Sequence, residues 1–171
     1  MTKTILNQLG IYGWKEQDEN LIMASLLTGD PLLMIGNHGC AKTHLAYKMA
    51  QALRKRFAAY DAGKSLFDDV LGYPDIEKLK QGQIAYISSK VTIFDKEMVL
   101  VDEINRCDAS MQSKWLEIIR SRKIMGFPTA IKWVWAAMNQ ILLRFILSFI
   151  ERYVFNKLCD VFIGGPNDSA T

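Results

Sequence analysis

The stretch Gly36 to Thr43, GNHGCAKT, constrains this chain more than any other. It follows a short apolar run, Pro31-Leu-Leu-Met-Ile35, and opens into Leu45-Ala-Tyr-Lys-Met-Ala50, so the order is strand, glycine loop, helix. That order gives the spacing physical meaning. Glycines let successive backbone N–H groups curl towards one anion, and the following helix brings its positive N-terminal end to the same place. Gly36, Asn37, His38, Gly39, Cys40, Ala41, Lys42, Thr43 and His44 are therefore read as a phosphate cradle. Lys42 is expected to reach the β- and γ-phosphates, and the Thr43 hydroxyl to hold Mg²⁺. His38 and Cys40 count for their backbone N–H groups rather than as a catalytic or metal-binding pair. One residue departs from the pattern G-x-x-x-x-G-K-[ST]. Ala41 stands where the second glycine belongs, and the expectation is that alanine takes a helical backbone there.

A second motif lies some sixty residues downstream. Glu97-Met-Val-Leu-Val-Asp-Glu103 is an apolar strand that ends in two adjacent acids. Asp102 is placed to bind the water shell of Mg²⁺, and Glu103 to deprotonate an attacking water. Two acids at a strand end are also common without function, and it is the upstream loop that favours the chemical reading. A further apolar strand, Ile131 to Met138, ends at Asn139, a neutral polar side chain suited to holding a water in line with a γ-phosphate.

Between these landmarks the periodicity predicts a helix over Trp14 to Leu27 with a solvent-facing polar start, ended by Thr28-Gly-Asp-Pro31. A helix over Lys42 to Phe57 follows, with Leu45, Met49, Ala52, Leu53 and Phe57 on one face; a strand hidden at Phe57 to Tyr60 is the competing reading there. The cations Arg54-Lys-Arg56 suit the negative end of that helix, with a nucleic-acid contact as the alternative. Ser65 to Val70 reads as a short helix, Gly72-Tyr-Pro74 as a turn and Asp75 to Leu79 as another helix. Gln83 to Ile87 and Val91 to Phe94 read as a hairpin around Ser88-Ser-Lys90. Asp108 is a candidate N-cap for a helix over Ser110 to Arg120, whose Met111 and Trp115 are core residues.

At 171 residues, half of them apolar, the chain is long enough for one domain with a real core. Its net charge of +3 gives no strong pull towards nucleic acid or an anionic membrane. Cys40, Cys107 and Cys159 are odd in number and widely spaced, with no zinc-type pairing, which reads as reduced thiols. The N-terminus lacks a signal-peptide h-region, and no segment reaches the ~18 uninterrupted apolar residues of a membrane span. A soluble cytoplasmic protein is expected.

GNHGCAKT, MVLVDEINR and WVWAAMN stand in an order and at spacings that resemble a MoxR-like AAA+ ATPase of the dynein-related type, over roughly Gln17 to Asn139. In that group Ala-Lys-Thr is a usual loop ending, and Asp-Glu-Ile-Asn-Arg is a specific signature. The resemblance implies a three-layer α/β P-loop core with a five-stranded parallel sheet, in which the strands bearing the loop, the acids and the asparagine lie side by side. It implies ATP and Mg²⁺ as ligands, Lys42 and Thr43 as Walker A, Asp102 and Glu103 as Walker B, and Asn139 as sensor 1. It also implies that the Gln83 to Phe94 hairpin is an insert in the second core helix near the pore of a hexameric ring, acting on a protein client.

Past residue 140 the likeness stops, so a core over 1–140 and an atypical tail over 141–171 are expected, with the helical lid missing. Leu142-Leu-Arg144-Phe145 looks like an arginine-finger motif but stands too close to Asn139. Arg144, Ser148, Arg152, Asn156 and Asp160 recur every four residues, as on a helix over Ile141 to Phe162 with one polar stripe. Packing on the core, binding a membrane or partner, and the product of a truncated or shifted reading frame stay open for it. ATP hydrolysis coupled to remodelling of protein partners, weak in this form, is the expected activity. A non-hydrolysing nucleotide-binding interaction module and a nucleic-acid-directed motor are the alternatives.

Overall fold

The computed structural model describes residues 4–37, 39–65, 67–87, 91–139 and 162–163. In chain order these form α1 (Ile5–Gln8), α2 (Glu16–Thr28), β1 (Leu32–Ile35), α3 (Lys42–Ala52), β2 (Phe57–Asp61), α4 (Phe67–Leu71), β3 (Tyr73–Pro74), α5 (Ile76–Lys80) and β4 (Tyr86–Ile87). Then come β5 (Met98–Asp102), a 3₁₀ turn over Ile104–Arg106, α6 (Ala109–Ser121), β6 (Lys123–Ile124), β7 (Phe127–Pro128), β8 (Trp133–Met138) and β9 (Phe162–Ile163).

The main sheet is parallel, in the order β2-β5-β8-β1-β9. β1 is buried throughout and β5 is buried up to Asp102, so neither strand has a polar face, as a sheet covered on both sides requires. Alternate side chains divide between two cores. Leu33, Ile35, Val99, Val101, Val134 and Ala136 pack under Trp115 and Ile118 of α6. Leu32, Met34, Met98, Leu100, Trp135 and Ala137 pack under Leu45 and Met49 of α3 and Ile22 of α2. The result is the expected three-layer α/β sandwich, with the acid-bearing, asparagine-bearing and loop-bearing strands adjacent in that order. Among the described residues no helix is long and apolar enough to cross a membrane.

Four local expectations are revised. The polar start of α2 faces solvent only in part: Glu16, Gln17 and Asn20 are exposed, but Asp18 and Glu19 are buried, and the Ile5 N–H of the N-terminal segment donates to Glu19 Oε1 at 2.6 Å. α3 stops at Ala52 rather than Phe57. Arg54 turns left-handed at φ 54°, and the Lys55 N–H returns to the Ala50 carbonyl at 2.9 Å, a C-terminal closure that releases Phe57 to begin β2. Two of the three cations beyond that end are engaged by Glu97, Lys55 at 3.2 Å and Arg56 at 3.6 Å. Lys55 and the Arg56 N–H hold the Glu97 carboxyl below its ordinary range.

The antiparallel insert is present, but its strands are β3 and β4, Tyr73 opposite Ile87 and Pro74 opposite Tyr86, closed around α5. Val91 to Phe94 does not pair as the second strand of a hairpin. Ile93 is fully buried with its N–H on the Val70 carbonyl at 3.0 Å, and the Tyr60 hydroxyl donates to the Val91 carbonyl at 2.6 Å, so this run plugs the core instead. Of the tail, Phe162–Ile163 pairs parallel with β1 at Leu33 and Met34, whereas the expected helix included Phe162. Arg144 and the rest of the four-residue polar stripe lie outside the described residues.

Candidate functional site

β1 delivers the chain to Gly36, whose N–H donates to the Met138 carbonyl of β8 at 3.3 Å, so the loop leaves the sheet anchored to the neighbouring strand. Gly39 adopts φ +82°, a left-handed conformation that glycine takes without strain, and the space around it is open. His38 lies outside the described residues. Ala41 corrects the expectation of an ordinary helical backbone. It sits at φ 57°, ψ 23°, in the left-handed region, as the residue that caps α3. An L-residue is disfavoured there by about 1–2 kcal/mol, because its Cβ crowds the following carbonyl.

Ala41 offers no side-chain cap, so the first N–H groups of α3 stay directed at the loop with the helix dipole behind them. Lys42 folds back across the loop, its Nζ donating to the carbonyls of Gly36 at 2.8 Å and Asn37 at 2.9 Å. A cleft of about 330 Å³ opens in front, lined by Gly39, Cys40, Ala41, Lys42, Thr43, His44, Asp102 and Glu103. Gly36 and Asn37 form the rear of this loop, and Cys40 is buried in it.

The acids arrive from β5. Asp102 Oδ2 accepts from the Thr43 hydroxyl at 2.6 Å, and its Oδ1 accepts from the Glu103 N–H at 3.0 Å. Two motifs 59 residues apart in sequence thus meet through one hydrogen bond. Glu103 also has a left-handed backbone, at φ 53°, ψ 40°, which turns the chain out of the strand into the 3₁₀ turn. Its carboxylate pairs with Arg106 Nε at 3.1 Å. Asn139 is buried at the end of β8, one residue past the Ile35–Met138 register pair, between the loop-bearing and acid-bearing strands.

For a divalent cation the fit rests on the donor set. Thr43 and Asp102 present hard oxygen donors in contact with one another, the type that Mg²⁺ takes beside phosphate oxygens. Among the described residues there is no cluster of three His, Cys, Asp or Glu that could hold a metal by itself. Cys107, next to the 3₁₀ turn, is no nucleophile: burial pushes its thiol up to about 11, and its Sγ donates to the Ile104 carbonyl at 3.1 Å. Sequence reasoning missed the ion pair between Glu103 and Arg106. Its signal is the i,i+3 spacing within Asp-Glu-Ile-Asn-Arg, where one helical turn places an acid beside a cation.

The sequence profile of a family described as AAA domain (dynein-related subfamily) matches residues 31–141, well over half of the chain. The structural protein ORF618 of the Acidianus two-tailed virus is 28% identical over 121 residues, covering 68% of this chain and 20% of that protein. The chain thus spans about a fifth of the length of this curated relative. Among solved structures, a putative ATPase from Cytophaga hutchinsonii superposes with a TM-score of 0.58 at 23% identity, over 80% of this chain and 42% of the other. NtrX from Brucella abortus in complex with ATP superposes with a TM-score of 0.62 at 16% identity, over 97% of this chain and 36% of the other.

Proposed function

The chain belongs to the dynein-related subfamily of AAA domains, and from that premise we propose that it binds ATP with Mg²⁺ in the cleft between α3 and β5 and hydrolyses it. The observation that carries this reading is the 2.6 Å bond from Thr43 to Asp102, which joins the loop and the acidic strand end into one polar site. In the proposed mechanism Lys42 exchanges its two loop carbonyls for the β- and γ-phosphate oxygens. The uncapped N–H groups of α3 take the remaining negative charge. Thr43 and Asp102 would hold Mg²⁺, whose charge would offset that of the phosphate oxygens.

Glu103 accepts a proton from water as the water oxygen bonds to the γ-phosphorus. The bond to the bridging oxygen breaks and ADP leaves with that electron pair. Asn139 orients the water from the intervening strand. The groups that perform these steps all lie within residues 1–140. The MoxR-like signature supports a ring of such units that remodels a protein client, and the free thiols of Cys40 and Cys107 support a cytoplasmic setting.

The test is ATP binding and turnover of the 171-residue chain across protein concentrations, beside Lys42→Ala and Glu103→Gln. Lys42→Ala is expected to lose nucleotide. Glu103→Gln is expected to keep it while turnover falls by about 10²-fold or more, the usual contribution of a positioned base. Both variants binding ATP as tightly as the parent would refute the site assignment. Turnover that rises faster than protein concentration supports assembly, and strict proportionality argues against it.

A further inference from the structure

The acidic strand end is buttressed from its other side by the loop that follows β2. The Ala62 N–H donates to the Asp102 carbonyl at 2.8 Å, so this loop is fastened to the residue just before Glu103. Asp61 holds the loop in shape: its Oδ1 accepts from the Gly63 N–H at 3.0 Å and its Oδ2 pairs with Lys64 at 3.1 Å. Gly63 then lies directly against Arg106. A Cβ on Gly63 would meet Arg106 Cβ at 3.0 Å and Cδ at 3.6 Å. This glycine's φ lies outside the left-handed range, so what it provides is room for the arginine stem.

Arg106 thus runs its half-exposed stem past Gly63 and sets its Nε 3.1 Å from a Glu103 carboxylate oxygen as an ion pair. We propose that Arg106 is a positioning residue for Glu103, clamping the carboxylate at the cleft, and that Gly63 sets the clamp. The proposal rests on the reading of Glu103 as the base. A glutamate side chain has three rotatable torsions, and misplacement of a reacting group by about 1 Å costs up to about 10²-fold in rate. An ion pair from one carboxylate oxygen to a guanidinium whose stem passes close against Gly63 narrows that freedom.

The test is steady-state ATP turnover and nucleotide affinity of the full chain as Arg106→Ala, Arg106→Lys and Gly63→Ala, each also combined with Glu103→Gln. Arg106→Ala is expected to lower kcat about tenfold, with KM and ATP affinity within about twofold of the parent. Arg106→Lys should recover part of the loss. Gly63→Ala, which pushes the arginine stem by a few tenths of an ångström, should show a smaller kcat-selective loss. In the Glu103→Gln background none of the three should lower turnover further, because there is no carboxylate left to place.

Parental or faster turnover in both Arg106→Ala and Gly63→Ala would overturn the proposal, as would losses of equal size with and without Glu103. If Arg106→Ala fails to fold, Arg106→Lys and Gly63→Ala decide the matter. Undiminished turnover in Glu103→Gln alone would instead overturn the reading of Glu103 as the base, and a parent chain without turnover would overturn both.

Discussion

The left-handed alanine at the head of α3 makes a prediction whose sign depends on position. Ala41→Gly removes a Cβ that the backbone at φ 57° disfavours by about 1–2 kcal/mol. Against this, glycine loses about 0.5–1 kcal/mol more conformational freedom on folding than alanine. The balance is a stabilisation of about 0.5–1 kcal/mol. For a chain of this size that raises the melting temperature by about 1–4 °C. The same exchange at Ala52, exposed and in ordinary helical geometry at the other end of α3, has no strain to release. It is expected to cost about 0.5–1 kcal/mol. Thermal and urea unfolding of the two variants beside the parent measure the contrast. Destabilisation of Ala41→Gly by as much as Ala52→Gly would refute the strain argument. The ATP affinity of Ala41→Gly should stay within about threefold of the parent, since the N–H groups that face the cleft are unchanged.

Two further substitutions probe the scaffold. Burial raises the Asp18 carboxyl pKa, so its folded value lies above its unfolded one, and stability is lost as pH rises between the two. Asp18→Asn should therefore stabilise at pH 7 by on the order of 1 kcal/mol and give no advantage at a pH below 3.8, the ordinary value of an aspartate carboxyl. Melting temperatures of both proteins across pH check it, and a gain that persists at low pH refutes it. Gly72→Ala places a Cβ at 2.5 Å from the Ile87 carbonyl oxygen and 2.8 Å from Thr92 Cγ2, at φ +85°. It should cost more than about 2 kcal/mol and expose the β3–β4 insert to proteolysis. A parental melting temperature and digestion pattern would refute that.

What could be read from the sequence was whatever is encoded locally. Leu32 to Ile35, a polar-free run before a glycine loop, reads as a buried strand because four apolar residues in a row leave no face for water. Asp108 is legible as a cap because its side chain competes for nearby N–H groups, and in the structure its Oδ1 accepts from the Met111 N–H at 2.9 Å. The end of α3 was legible only as an alternative, the strand at Phe57 to Tyr60 that the structure forms as β2. Leu53 and Phe57 continue its apolar face, and only the long-range pairing of Phe57 with Met98 tells the chain to stop. The insert misled for the same reason: Tyr73-Pro74 looks like a turn until a strand twelve residues on pairs with it. In the candidate site, residue types and spacing indicated which groups would gather. Backbone conformation at Ala41 and Glu103 depends on contacts that spacing does not record.

β8 stands between β1 and β5, so the loop and the acids are separated by two strand spacings, about 10 Å at ~4.8 Å each. That interval behaves like a gauge block: it comes in whole strands and admits no intermediate setting. Substitutions along the cleft can change its lining or the reach of a side chain, but not the span it bridges. Ala136 and Ala137, fully buried in β8, project to opposite faces of the sheet, so larger residues there would press on the flanking helices and leave the strand spacing as it is. Adjustment of this site to a different phosphate chain length must therefore come from the loop at one end and the Asp102–Arg106 turn at the other.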